Sequence, residues 1–211
     1  VTTLENLSNS LINGKADDVE IHMHQAIKEG RVPRDILNGG LLKGMEDVGR
    51  RFKNNEFYVP EVLIAARAMK AGMEILKPLL TETGVEPVAK VAIGTVKGDL
   101  HDIGKNLVCM MLEGGGFEVV DLGVDVSPEK FVQSIKEFGA DIIGMSALLT
   151  TTMMNMKATI QTIEESHLRD SVKIMIGGAP LTDGFASEIG ADGYAPDAAT
   201  AVDVIKSLIG K

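Results

Sequence analysis

Apolar residues recur every three or four positions up to about residue 84, and after that they come in short unbroken blocks. Leu4, Leu7 and Leu11 share one face ahead of Asn13-Gly14, and Val19, Met23, Ala26 and Ile27 share another ahead of Gly30. Asp35 is placed to cap a third helix whose stripe is Leu37, Leu41, Met45, Val48 and Phe52. Val59-Pro60 opens a fourth, carrying Val62, Ala66, Met69, Met73, Leu76 and Leu80, with proline in a first turn where its missing N–H does no harm. Four amphipathic helices with short connections predict a four-helix bundle.

Residues 81–87, rich in Thr, Glu, Gly and Pro, read as a linker at which the periodicity changes. Beyond it, strands are predicted at 91–96, 117–122, 141–145 and 172–176, with a brief one near 193–194. Helices are predicted at 103–112, 128–138, 153–165, 181–189 and 198–209. Repeated strand-turn-helix units of this length predict an α/β, doubly wound, parallel sheet of five strands. The expected division is therefore a helical domain with linker at 1–87 and an α/β domain at 88–211.

Composition narrows the partners more than the fold. Thirty acidic against 21 basic residues give a formal charge of −9, which argues against nucleic acid and anionic membrane. Aromatics make up only 4%, so recognition of single strands by stacking is poorly supported as well. The single cysteine, Cys109, excludes an internal disulfide framework, and neither end shows a signal-like or membrane-length apolar run. The expected compartment is the cytoplasm.

Chemistry is expected where strands end, because open α/β folds hold ligands at the carboxyl edge of the sheet. After the first strand stands Gly98-Asp99-Leu100-His101-Asp102-Ile103-Gly104. A histidine set between two aspartates and two glycines reads as a metal-ligating imidazole with an acid behind it, on backbone that lets something large come close. Asp102 also suits the N-cap of the following helix. After the third strand come Ser146, Leu148 and Thr150; after the fourth, Gly177-Gly178; and Ala198 opens the last helix. Together these read as a slot for a long, uncharged, hydrogen-bonding ligand tail.

The ordered set Asp99, His101 and Gly104, then Ser146 and Leu148, then Gly177-Gly178 resembles the corrinoid (cobalamin-binding) proteins of methyltransferase systems. It is similar also to the cobalamin-binding region of cobalamin-dependent methionine synthase, and the likeness spans nearly the whole chain. The resemblance implies a Rossmann-like fold behind a helical cap, and a cobalamin or related corrinoid cycling between methylcobalamin and Co(I) forms. It implies His101 as the lower axial ligand of cobalt in place of the cofactor's own base. Asp99 would accept the other ring N–H, Ser146 would extend that relay, and the nucleotide tail would pass Ser146, Leu148, Thr150 and Gly177-Gly178. Phe52, Val59 and Val62 match the family's apolar cap positions, although the same residues also fit plain bundle packing. The linker would serve as hinge.

The implied function is a methyl carrier that turns nothing over alone. Its implied partners are a substrate-specific methyltransferase, a second methyltransferase acting on tetrahydrofolate or coenzyme M, and a reductive activating protein. A cobalamin-binding sensor is a second reading, but the chain has no Trp and no basic helix. The small subunit of an adenosylcobalamin mutase is a third, against which the preceding helices count. A phosphoacceptor receiver needs a phosphorylatable Asp after the third strand, where Ser146 stands. His22 and His24 face different directions on one helix and make poor joint ligands. His167 reads as a solvated loop residue, and Cys109 and the Met153, Met154, Met156 group read as packing.

Overall fold

A computed structural model describes residues 2–210, which fall into two compact units: one of residues 2–87 with 114–116, the other of 88–113 with 117–210. The first is all-helical. Helix α1 (Thr3–Ile12) starts with a capping box in which the Thr2 hydroxyl accepts the Glu5 N–H and the Glu5 carboxylate accepts the Thr2 N–H. Helix α2 (Ala16–Lys28) buries Val19, Met23 and Ala26, as its periodicity predicts.

The third predicted helix is one continuous rod in three parts: α3 (Pro33–Ile36), a π-helical stretch at Leu37–Leu42, and α4 (Lys43–Lys53). Its N-cap is Val32 with Pro33 in the first turn, so Asp35 lies inside the helix instead of capping it. Helix α5 (Val59–Glu82) buries Val62, Ala65, Ala68, Met69, Leu76 and Leu80, so the stripe passes through Ala65 where Ala66 is expected. The Glu61 carboxylate accepts the Tyr58 N–H at its start.

The second unit is a five-stranded sheet in the order β2-β1-β3-β4-β5, with every neighbouring pair parallel. The strands are β1 (Lys90–Val96), β2 (Glu118–Val126), β3 (Ile142–Ser146), β4 (Lys173–Gly177) and β5 (Gly193–Ala195). Between and after them run α6 (Ile103–Gly114), α7 (Pro128–Phe138), α8 (Met154–Glu165), α9 (Asp183–Ile189) and α10 (Ala198–Leu208). The central strands are apolar on both faces, which is why β1, β3 and β4 read as unbroken runs, not as alternations. Fully buried Phe131, Ile143, Met156, Ile163, Ile174 and Ile176 form part of the core.

Two aspartates at the start of strands knit the amino edge of this sheet. The Asp141 carboxylate accepts the Lys90 N–H at 2.8 Å, and that of Asp192 accepts the Ile174 N–H at 2.7 Å. Each follows a left-handed helix-ending glycine and an alanine, Gly139-Ala140-Asp141 and Gly190-Ala191-Asp192. At the opposite edge the direction of winding reverses between β1 and β3. The segments leaving those two strands consequently lie side by side with a crevice between them, the place where such sheets bind ligands. No helix among the described residues is long and apolar enough to cross a membrane.

Candidate functional site

Everything at the crevice converges on Asp99. It sits in the turn between β1 and α6, is fully buried, and its carboxylate takes hydrogen bonds from both segments. Oδ2 accepts the Leu148 N–H at 2.8 Å, the Leu149 N–H at 3.4 Å and the Thr152 hydroxyl at 2.7 Å, all from the segment leaving β3. Oδ1 accepts the His101 N–H at 3.1 Å and lies 2.8 Å from His101 Nδ1. Burial pushes the carboxyl up, but the Leu148 N–H, the Thr152 hydroxyl and both His101 donors outweigh it and hold Asp99 well below the usual carboxylate range.

An ionised carboxylate only accepts, so Nδ1 of His101 carries the proton on that side and the lone pair of the neutral ring is on Nε2. The His101 side chain is 51% exposed. The result is an imidazole held through Nδ1, whose Nε2 makes no hydrogen bond among the described residues. Around it the same two segments expose large apolar side chains: Leu100 and Ile103 from one, Leu148, Leu149 and Met154 from the other. Leu100 and Ile103 are 72% and 79% exposed, which suits a broad apolar ligand rather than water.

The segments leaving β3, β4 and β5 begin side by side, since Ser146 pairs with Gly177 and Gly177 with Ala195. Gly178 has φ 141°, and a Cβ there would fall 1.9 Å from the Ala147 carbonyl oxygen, so the approach of these two strand ends requires glycine.

The expected residues divide into those that meet and those that do not. Gly98, Asp99, His101, Asp102, Ile103 and Gly104 form one turn and helix start, with Leu148 and Thr150 exposed on the neighbouring segment. Asp102 precedes α6, where its carbonyl accepts the Asn106 N–H and its carboxylate accepts the Asn106 side chain, not a first-turn N–H. Ala198 is only 5% exposed and has little surface to offer a ligand. Phe52, Val59 and Val62 belong to the helical unit, where Val62 is fully buried and Val59 partly exposed.

Ser146 requires a correction. Among the described residues its hydroxyl makes no hydrogen bond to Asp99; that place is taken by Thr152, six residues on, buried and within 3.0 Å of the Leu149 carbonyl as well. At the end of β3, Ser146 still belongs to the strand ladder, whereas the chain must turn back before a hydroxyl can reach the Asp99 carboxylate. Three hydroxyl residues, Thr150 to Thr152, stand in that turn, and only the register separates the one pointing inward.

Elsewhere, burial pushes the Cys109 thiol up to about 12, which keeps it protonated and unreactive at neutral pH, as its place among packing residues suggests. Met156 is fully buried, while Met154 is exposed at the crevice. No group of three or more His, Cys, Asp or Glu is gathered to hold a metal ion among the described residues.

Two family models, both described as a B12 binding domain, match this chain: one over residues 89–203, the other over residues 3–77. A corrinoid protein of Desulfitobacterium hafniense (strain Y51) is 42% identical over 214 residues, covering 100% of this chain and 99% of that one. The dimethylamine corrinoid protein of Methanosarcina barkeri is 44% identical over 207 residues, covering 98% and 97%. Among solved structures, the methanol:cobalamin methyltransferase complex MtaBC of Methanosarcina barkeri superposes with a TM-score of 0.83 at 28% identity, covering 99% of this chain and 80% of that one.

Proposed function

This chain belongs to the B12-binding corrinoid proteins of methyltransferase systems, and from that premise we propose that it is a methyl carrier that binds a cobalamin or related corrinoid with His101 as the lower ligand of cobalt. One observation carries the reading: a buried, ionised Asp99 holds Nδ1 of His101 and so presents Nε2 beside an exposed apolar surface. A single histidine donor is what a metal already held in a macrocycle would need from the protein.

When bound, the corrinoid supplies a cobalt centre that takes up and gives away a methyl group. The protein's part is to place and tune a donor. Asp99 fixes the tautomer and direction of the ring by accepting the Nδ1–H hydrogen bond, and Thr152 with the Leu148 N–H fixes Asp99 in turn. Leu100, Ile103, Leu148 and Leu149 would provide apolar surface for the ring system and keep water from it. The nucleotide tail would run past the strand ends at Gly177 and Gly178, where glycine lets the segments leaving β3 and β4 approach each other, and past exposed Thr150.

The partners are a methyltransferase that loads the carrier and a second that unloads it onto tetrahydrofolate or coenzyme M, with a reductive activator to rescue oxidised cobalt. Relatives named as dimethylamine corrinoid proteins make methylated amines the first donor class to try. The decisive experiment reconstitutes the protein with hydroxocobalamin, reduces it to the Co(II) form and reads nitrogen splitting in its electron paramagnetic resonance spectrum. One nitrogen from the protein is expected, retained on labelling only histidine with nitrogen-15 but with a changed splitting pattern, and lost in His101→Ala. An unaltered pattern in His101→Ala would reject the assignment.

A further inference from the structure

Strand β2 does not run level with β1. Ile93 faces Asp121 but Gly94 faces Gly123, and Gly94 and Val96 face Gly123 and Val126, so β2 carries an extra residue at each of two places. Bulges in parallel pairs are uncommon, and they gather beside functional sites because they re-aim a side chain. Each bulge here contains an aspartate that turns toward the segment bearing His101.

At the second bulge Asp125 has φ 50°, left-handed backbone that an L-residue seldom adopts. This conformation lets one residue grip the turn twice: the Asp125 carboxylate accepts the Gly98 N–H at 2.7 Å, and the Asp125 N–H donates to the Asp99 carbonyl at 2.9 Å. At the first bulge Asp121 bonds the Gly123 N–H and pairs at 2.5 Å with Lys105, a lysine only 3% exposed, one turn into α6. Between these grips the fully buried Thr95 donates its hydroxyl to the His101 carbonyl at 2.7 Å, and Asn155 donates to the Lys97 carbonyl at 2.7 Å. The turn is thus held from Lys97 to Lys105.

The geometry points to Asp125 as a positioning residue for His101, acting through the backbone of Gly98 and Asp99 and touching neither ring nor ligand. A donor that must bond a metal held in someone else's ring has no second protein ligand to correct its aim. Its direction is therefore set by the turn beneath it, and Asp125 is the only side chain of β2 that bonds that turn ahead of His101 among the described residues. This inference rests on His101 being the ligand.

Its test uses Asp125→Gly, which keeps the left-handed backbone and deletes the carboxylate, with Asp125→Asn as the conservative variant, since asparagine tolerates the same backbone and still offers an acceptor. On the cofactor-free protein, hydrogen exchange of the Gly98 amide should rise about tenfold in Asp125→Gly, the factor expected for one lost hydrogen bond, while β4 amides stay unchanged. After loading with hydroxocobalamin and reduction, the fraction of Co(II) centres showing the histidine nitrogen should fall about threefold or more in Asp125→Gly and return in Asp125→Asn. Unchanged exchange at Gly98 overturns the grip. Faster exchange with an unchanged histidine fraction overturns the positioning role. A wild-type spectrum without any nitrogen splitting sinks the ligand assignment instead, and the exchange data still decide whether Asp125 holds the turn.

Discussion

The two edges of the sheet use the same device for different ends. At the amino edge, Asp141 and Asp192 each accept a backbone N–H from a neighbouring strand, and Asp192 spends its remaining capacity on Arg169, at 2.9 Å. At the carboxyl edge, Asp99 likewise accepts backbone N–H groups from a neighbouring segment, but its remaining capacity goes to an imidazole whose far nitrogen is free. A carboxylate that ends on a cation is finished as chemistry. One that ends on a ring passes its influence on to whatever the ring touches. The surroundings differ in the same sense: Lys173 and Arg169 flank the amino edge, while Leu100, Ile103, Leu148 and Leu149 are exposed at the carboxyl edge.

If the carboxyl edge is the tightly specified one, a single methyl group should separate the two edges most sharply. Gly178→Ala places a Cβ 1.9 Å from the Ala147 oxygen and should destabilise by more than about 3 kcal/mol, or prevent folding altogether. Gly190→Ala, at the amino edge with φ 80° and open space around it, should lose only about 1 kcal/mol. Urea melts of both variants check this, and equal losses would break the contrast. Next in size is Asp99→Ala, which strands the Leu148 N–H and the Thr152 hydroxyl and should destabilise by about 3 kcal/mol while abolishing histidine ligation. Asp192→Ala should also destabilise, by about 1 to 3 kcal/mol, and leave the ligation spectrum untouched.

Much of this was legible from residue pattern. Strand blocks and helix stripes set out both units because burial on both faces and burial on one face leave different spacings, and Asp99-x-His101 announced itself by standing at a strand end. What escaped depends on register. Thr152 and Ser146 carry the same kind of hydroxyl, and nothing in the string says that a turn between them brings the later one to Asp99. The bulges at Asp121 and Asp125 are insertions relative to a partner strand, so they are visible only once β1 and β2 are paired. The π-helical stretch did leave a trace: Leu37, Leu41 and Met45 are spaced by two successive fours, which suits a wider turn than the α-helix, yet the same spacing is ordinary in an amphipathic helix. The twin Gly-Ala-Asp segments are too short to stand out as a repeat, though both do the same work at the amino edge.

The relay itself separates the strand from the turn beyond it. Thr152→Val keeps the shape and removes one hydrogen bond to an ionised carboxylate, so it should destabilise by about 1.5 to 3 kcal/mol and weaken histidine ligation. Ser146→Ala should change stability by less than about 0.5 kcal/mol, because its hydroxyl has no part in holding Asp99. Comparable effects of the two on the Co(II) spectrum would return the relay to Ser146.

The smallest effect tests whether the buried carboxylate is charged at all. The hydrogen bonds that hold Asp99 below the ordinary range mean that, at mildly acidic pH, the unfolded chain takes up a proton there before the folded one does. Stability contributed by the ionised form is therefore complete above the unfolded carboxylate value, near 4, and is lost as the pH falls from there toward the lower folded value. Asp99→Asn has no proton to take up at that position and lacks this loss. In urea melts of the cofactor-free proteins, the gap between wild type and Asp99→Asn should be constant from pH 7 to pH 5. It should then narrow by about 1 kcal/mol by pH 3. A wild type that instead gains on Asp99→Asn as the pH falls from 7 toward 4 would mean that Asp99 is neutral when folded. It would then have a proton to give instead of a charge to lend, Nδ1 of His101 would no longer be compelled to be the donor, and the distinction drawn between the two edges would lose its chemical basis.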